Sequence, residues 1–305
     1  MKKINLGPSG LQVSAVALGV MRITKLDLAQ ATALLDTAYT SGINFFDNAD
    51  IYAGGEAETL FGAALKNASF KREDVLVQSK VGIVPGKRYD FSKAHIIESV
   101  DGSLKRLGLD YLDVLLLHRP DALLEPDQVA DAFNALQNAG KVRNFGVSNV
   151  NPGQIELLKS AVSQPLVANQ LQLSLMHTGM IDAGIHVNMT DDRSFDHDGG
   201  ILEYSRLHNM TVQAWSPYQY GFFEGVFIDN PKFPELNAAL DKLAAQYHTN
   251  KSAIASAWLT RLPGTQVIAG TTNAKRLADI AEAGNIRLEA QEWYDLYLAA
   301  GNDLP

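Results

Sequence analysis

Four side chains stand at or just beyond the ends of apolar runs, and their types make a coherent site. The run Asn44–Asp47 leads through Asn48-Ala49-Asp50-Ile51 to Tyr52, the run Val75–Lys80 ends on a lysine, and Leu112–His118 ends on a histidine. In a parallel barrel, reactive groups belong at the C-terminal ends of strands, so Asp47, Tyr52, Lys80 and His118 are expected at one mouth. Taken singly, three have ordinary structural roles: Asp47 as a turn cap, Tyr52 as a core aromatic, His118 as a satisfied barrel histidine. Lys80 is harder to dismiss, because an ammonium directly after an apolar strand must be desolvated or paired, and Asp47 is the obvious partner. Together the four can move a proton. A phenol titrates near 10 in water, about three units too high for efficient donation at neutral pH, and a nearby ammonium is expected to lower that value. Asp47 would keep Lys80 charged, and His118 would hydrogen-bond a substrate carbonyl oxygen. Such a site suits carbonyl reduction, since the developing alkoxide needs a donor and nearby positive charge. It brings no electrons, so a hydride carrier is required.

The elements that must position these groups are legible from patterning. Eight short apolar runs alternate with helical segments: Val13–Leu18, Asn44–Asp47, Val75–Lys80, Leu112–His118, Val142–Ser148, Leu166–Gln170, Thr211–Trp215 and Gln266–Ala269. Runs so little interrupted by polar residues suit a parallel sheet covered on both faces. Between them, Ile96, Ile97, Val100 and Leu104 mark one buried helical stripe, as do Val129, Ala132, Phe133 and Leu136 before the stop signal Gly140. Ile155, Leu158 and Val162, opened by Pro152, mark a third. The alternation fits a closed barrel or a doubly wound sheet, and no Gly-x-Gly-x-x-Gly follows a strand, which disfavours the dinucleotide-binding version of the second. The expected fold is therefore α/β, a (β/α)8 TIM barrel forming one domain over 1–305. Residues 4–16 are expected as a hairpin over the barrel bottom, and Glu289–Ala299 as an extra C-terminal helix.

Composition bounds the partners. Hydrophobic residues make up 46% of the 305, and no cysteine is present, so disulfides and thiol chemistry are excluded. With a net charge of −8 and dispersed basic residues, no nucleic acid or anionic membrane is expected. No apolar run of signal-peptide or membrane-helix length occurs, and the expected location is cytoplasmic. No metal site is expected.

The sequence resembles the aldo-keto reductase family. The segment Phe45-Phe46-Asp47-Asn48-Ala49-Asp50-Ile51-Tyr52 is similar to that family's Asp/Tyr motif, and Lys80 and His118 match its other two catalytic positions in order and strand context. Gly146-Val147-Ser148-Asn149 and Gln170 resemble the residues that hold the nicotinamide carboxamide. Trp215, followed by Ser216-Pro217, matches the aromatic that stacks on the nicotinamide ring. Gly270-Thr271-Thr272-Asn273 with Lys275 and Arg276 resembles the segment that takes the 2′-phosphate of NADPH, while Ile280 stands where the family often has an adenine-contacting asparagine. The resemblance covers about Leu6 to Ala283. It implies an NADP(H)-dependent oxidoreductase that reduces a small-molecule carbonyl substrate as a monomer. Substrate-pocket candidates are Met21, Arg22, Arg119, Tyr218 and Phe222.

Two other functions compete: a Schiff-base aldolase using Lys80, and a cofactor-binding redox sensor with slow turnover. The long segment 173–198 has no clear period and leaves the sixth strand near the expected mouth. It reads as a lid, apolar where it would cover the pocket and acidic where it would meet water.

Overall fold

The computed structural model spans Met1–Pro305. Its barrel strands are Val16–Gly19 (β1), Phe45–Asp47 (β2), Leu76–Val81 (β3), Leu112–Leu117 (β4), Val142–Ser148 (β5), Leu166–Gln172 (β6), Thr211–Trp215 (β7) and Thr265–Ala269 (β8). Each pairs in parallel with its sequence neighbours, and β8 pairs with β1 (Val267 opposite Val16), which closes the barrel. Closure leaves no unpaired strand edge. The eight apolar runs read from sequence all contribute to it. The first is split, because Val13 and Ser14 belong to a preceding hairpin and the barrel strand begins only at Val16.

That hairpin, Lys3–Asn5 with Gln12–Ser14, covers the N-terminal end of the barrel. Leu6 and Val13 are fully buried there against Phe45, Val114 and Val167. Burying a leucine stabilises by about 1.5–3 kcal/mol, so the hairpin serves as a plug. Gly7 lets it enter. Its φ is +50°, and a Cβ there would lie 2.3 Å from the Val167 carbonyl oxygen.

The helices follow their sequence signals. Lys93–Leu107 starts where the Ser92 hydroxyl accepts the His95 amide, buries Ile96, Val100 and Leu104, and stops at Gly108 in the left-handed region. The C-terminal helix Ala290–Ala299 is fastened by Trp293, which stacks on Trp258 at 4.8 Å. Each indole N–H donates to the other residue's backbone carbonyl at 3.0 Å. No helix is long and apolar enough to cross a membrane.

Segment 173–198 departs from the sequence reading. It holds a helix, Gly179–Ile185, and a short turn, Asp192–Ser194, and it is tied to the C-terminal tail. Arg193 donates to Asp182 at 3.0 Å, to Asn302 at 2.6 Å and to the Gly301 carbonyl at 3.0 Å, while Tyr297 donates to Asp182 at 2.7 Å. His186 is buried between Asp191 at 3.2 Å and Asp303 at 3.8 Å. None of the segment lines the cavity at the strand ends; in this structure it fastens the tail and does not cover the mouth as a lid would.

Candidate active site

The C-terminal ends of the strands open into a cavity of about 520 Å³. Asp47 closes β2, and the chain then enters the tight turn Tyr52–Gly55, where Ala53 and Gly54 take left-handed conformations and set Tyr52 over the mouth. Lys80 comes from the neighbouring strand β3, and His118 follows β4 directly, its amide donating to the Val81 carbonyl.

Lys80 is completely buried. Its ammonium has three hydrogens and meets three acceptors: Asp47 at 2.9 Å, the Asn48 carbonyl at 2.8 Å and the Tyr52 hydroxyl at 3.2 Å. Burial opposes its charge, but the Asp47 carboxylate and the Tyr52 phenol more than offset this and raise the pKa above the ordinary lysine value. The ring of His118 meets that of Tyr52 edge to face, with centroids 6.0 Å apart. Burial, followed by the charges of Lys80 and Arg119, holds His118 well below the usual histidine value, so its imidazole is neutral at pH 7.

The Tyr52 phenol moves opposite to the sequence expectation. Lys80 does pull it down, but burial raises it by more, and the net shift is upward from 10.0. The hydroxyl is therefore protonated throughout the neutral range.

Across the mouth the chain ends of β5, β6 and β7 interlock. The Ser148 hydroxyl donates to the Gln170 carbonyl at 2.9 Å, Asn149 donates to Ser148 at 2.8 Å, and the Trp215 indole donates to Asn149 at 3.0 Å. After β8, Asn273 caps the helix Ala274–Ala281 by accepting the Arg276 amide at 2.8 Å. The first turn of a helix exposes unpaired N–H groups that favour an anion, and the exposed Arg276 guanidinium adds a bidentate donor beside it.

Residues 15–297 match the model of the Aldo/keto reductase family. The chain belongs to this family. It is thus an oxidoreductase of a family that uses NAD(P)H. It is 33% identical over 319 residues to the 6-dehydroglucose reductase of Agrobacterium fabrum, with 100% of both chains covered. Among solved structures it resembles the thermostable aldo-keto reductase Tm1743, crystallised with the inhibitor epalrestat (TM-score 0.80, 25% identity, 98% of this chain and 100% of that one). It also shares its fold with an aldo-keto reductase of Klebsiella pneumoniae in complex with NADPH (TM-score 0.78, 24% identity, 97% of this chain and 94% of that one).

Nearly all of the residues singled out in sequence meet in this aldo/keto reductase cavity. Asp47, Tyr52, His118, Ser148, Asn149, Gln170, Trp215, Ser216, the segment Gly270–Asn273 and Arg276 lie on its wall, with Met21, Arg22, Arg119 and Tyr218. Lys80 lies behind the wall and reaches the cavity through two wall residues, Tyr52 and Asp47. Phe222 is the exception. It packs edge-on against Trp215 at 6.3 Å but is 66% exposed and off the wall, whereas Phe223 stacks on Trp215 at 6.1 Å and lines the cavity. Positive φ at Gly221 and Phe223 turns the chain there, so neighbouring aromatics exchange places. Ile83 and Val226 on the wall, and Gln78, Gln213 and Gln266 beneath it, escaped the sequence reading. For the glutamines a signal existed, namely a polar residue set inside an otherwise apolar strand.

Proposed function

We propose that this aldo/keto reductase is an NADPH-dependent carbonyl reductase that acts on an aldehyde or ketone, with Tyr52 as proton donor. One observation carries the reading: a fully buried Lys80, kept charged by Asp47, that donates to the hydroxyl of a protonated Tyr52 at the cavity wall. When bound, NADPH supplies a hydride to the carbonyl carbon. Tyr52 gives its proton to the carbonyl oxygen, and the adjacent ammonium stabilises the phenolate left behind until solvent returns a proton. Neutral His118 orients the carbonyl by donating from its protonated ring nitrogen. Ser148, Asn149 and Gln170 are suited to a carboxamide, and the indole of Trp215 to a flat ring beside it. The polar strip Gly270–Asn273 and Arg276 fit a phosphate. Met21, Arg22, Arg119 and Tyr218 wall the substrate space.

The aldolase alternative fits poorly, because an amine nucleophile must lose its proton, and Lys80 is held charged with all three hydrogens engaged. The redox-sensor alternative differs only in rate. The test is consumption of NADPH with a panel of aldehydes and ketones; absence of turnover on all of them, with NADPH bound, favours the sensor. In the same assay Arg276→Ala should weaken NADPH by about 10- to 150-fold, the value of one charge-assisted bidentate contact, and leave NADH nearly unchanged. Equal losses for both cofactors would remove Arg276 from the phosphate site.

The pH profile follows from the two shifts. The form of Tyr52 that donates is the protonated one, and burial raises its pKa, so reduction persists upward to at least the ordinary phenol value of 10.0. The form of His118 that serves is the neutral one, and its pKa lies well below 6.5, so no acid limb falls near that pH. A rate for kcat/KM that halves near pH 6.5, or that collapses between pH 8 and 9 (about one to two units below the free phenol), would contradict these assignments.

A further inference from the structure

Directly beneath the catalytic ion pair the barrel axis is filled by amides instead of hydrocarbon. Gln78 on β3, Gln213 on β7 and Gln266 on β8 are fully buried, and Gln170 on β6 is nearly so. Buried amides are costly unless paired, and these pair with one another. The Gln78 Nε2 donates to Asp47 Oδ1 at 2.6 Å and to Gln213 Oε1 at 3.0 Å. The Gln170 Nε2 donates to the same two oxygens at 3.1 Å and 3.2 Å. Asp47, Gln78, Gln213 and Gln170 thus form a closed ring of four hydrogen bonds. From the ring a tail runs down the axis: Gln213 Nε2 donates to Gln266 Oε1 at 2.9 Å, and Gln266 Nε2 donates to the Ser14 carbonyl at 2.8 Å.

The direction of every bond is set from the two ends. The Ser14 carbonyl can only accept, so Gln266 must face it with its NH2 and turn its own carbonyl to Gln213. Gln213 must then donate downward and present its carbonyl upward, where both Gln78 and Gln170 need an acceptor for one hydrogen each. Their second hydrogens go to the Asp47 carboxylate, which accepts only. Turning over any one amide sets two like groups face to face. Both hydrogens of Gln170 are consumed, so its carbonyl is the side-chain group left for the cavity whose wall it forms.

We propose that Gln213, which touches neither the cavity nor the reacting atoms, is a positioning residue that sets the cofactor site and the catalytic ion pair together. Through the ring it acts with the Asp47 carboxylate to hold Gln170 with its acceptor, the complement of a carboxamide NH2, toward the cavity, and it steadies the two amide donors aimed at the carboxylate that holds Lys80. The inference rests on the proposed use of NADPH.

Gln213→Met keeps the length and removes both hydrogen-bonding functions. The measurement is the Kd of NADPH against that of 2′,5′-ADP, the half of the cofactor without nicotinamide, together with kcat. The expected result is NADPH weakened about tenfold, as for one lost hydrogen bond in a dry site, with 2′,5′-ADP unchanged and kcat lowered. An unchanged NADPH affinity, or an equal loss for both ligands, overturns the proposal, since a merely structural defect would not spare one half of the cofactor. Should Gln213→Met fail to fold, Gln266→Met removes the acceptor that orients Gln213 from one step further away. The same split at smaller size supports the proposal, and its absence overturns it. A wild-type chain that binds 2′,5′-ADP but not NADPH fails the proposed function itself, whereas normal wild-type binding with an unsplit variant fails only the role of Gln213.

Discussion

Tyr52→Phe lowers the rate of carbonyl reduction by about 100- to 10,000-fold, the usual contribution of a positioned general acid, and leaves NADPH affinity near wild type. The change removes one oxygen. The ring that packs edge to face against His118 stays, and Lys80 keeps Asp47 and the Asn48 carbonyl as acceptors. Folding should therefore survive, and the loss should fall on kcat with little change in cofactor binding. Single-turnover rates with saturating NADPH, beside a fluorescence titration of the cofactor, separate the two. A variant that turns over like wild type excludes Tyr52 as the donor. One that loses cofactor affinity in step with rate gives the hydroxyl a binding role instead.

Lys80→Met has a second large effect, this time on stability as well as rate. The side chain has similar length, but the ammonium is the cationic partner of a carboxylate at 2.9 Å, with both groups almost fully buried. Removing one member of such a pair leaves the other charge uncompensated and costs about 3–5 kcal/mol. The two glutamine amides on Asp47 soften this loss but carry no charge. Reduction should also slow, since the phenolate left by proton transfer loses its neighbouring cation. Urea unfolding and kcat measured on the same variant decide the matter. Wild-type stability together with wild-type turnover would show that the pair performs neither task.

These two variants also separate the roles that the residues share. Tyr52→Phe touches the proton and spares the core, whereas Lys80→Met touches both. If the mouth works as one hydrogen-bonded cluster, the double variant should be no slower than the worse single one, because groups that act as a unit give non-additive losses.

The sequence alone determined the architecture and most of the residues that gather at the mouth, because both depend on local pattern. Short apolar runs and amphipathic helices recur with periods that a single strand or helix imposes, so eight strands and the N-terminal hairpin were visible without coordinates. Parallel strands also deliver their end residues to one face, which brings Asp47, Tyr52, Lys80 and His118 together from strand order alone. Tertiary structure decided what depends on depth or on distant partners. The direction of the Tyr52 shift is a contest between burial and the Lys80 charge, two effects of opposite sign whose balance is set by how deep the hydroxyl lies. The segment 173–198 has polar residues that look free in sequence, yet Arg193 and Asp182 are occupied by partners more than a hundred residues away in the tail. Phe222 and Phe223 are adjacent and chemically identical, and only the backbone turn at Gly221 and Phe223 selects which one faces the cavity. The glutamine ring closes between residues 31 to 135 positions apart, and each amide's orientation is dictated by the next, so no local window of sequence could contain it.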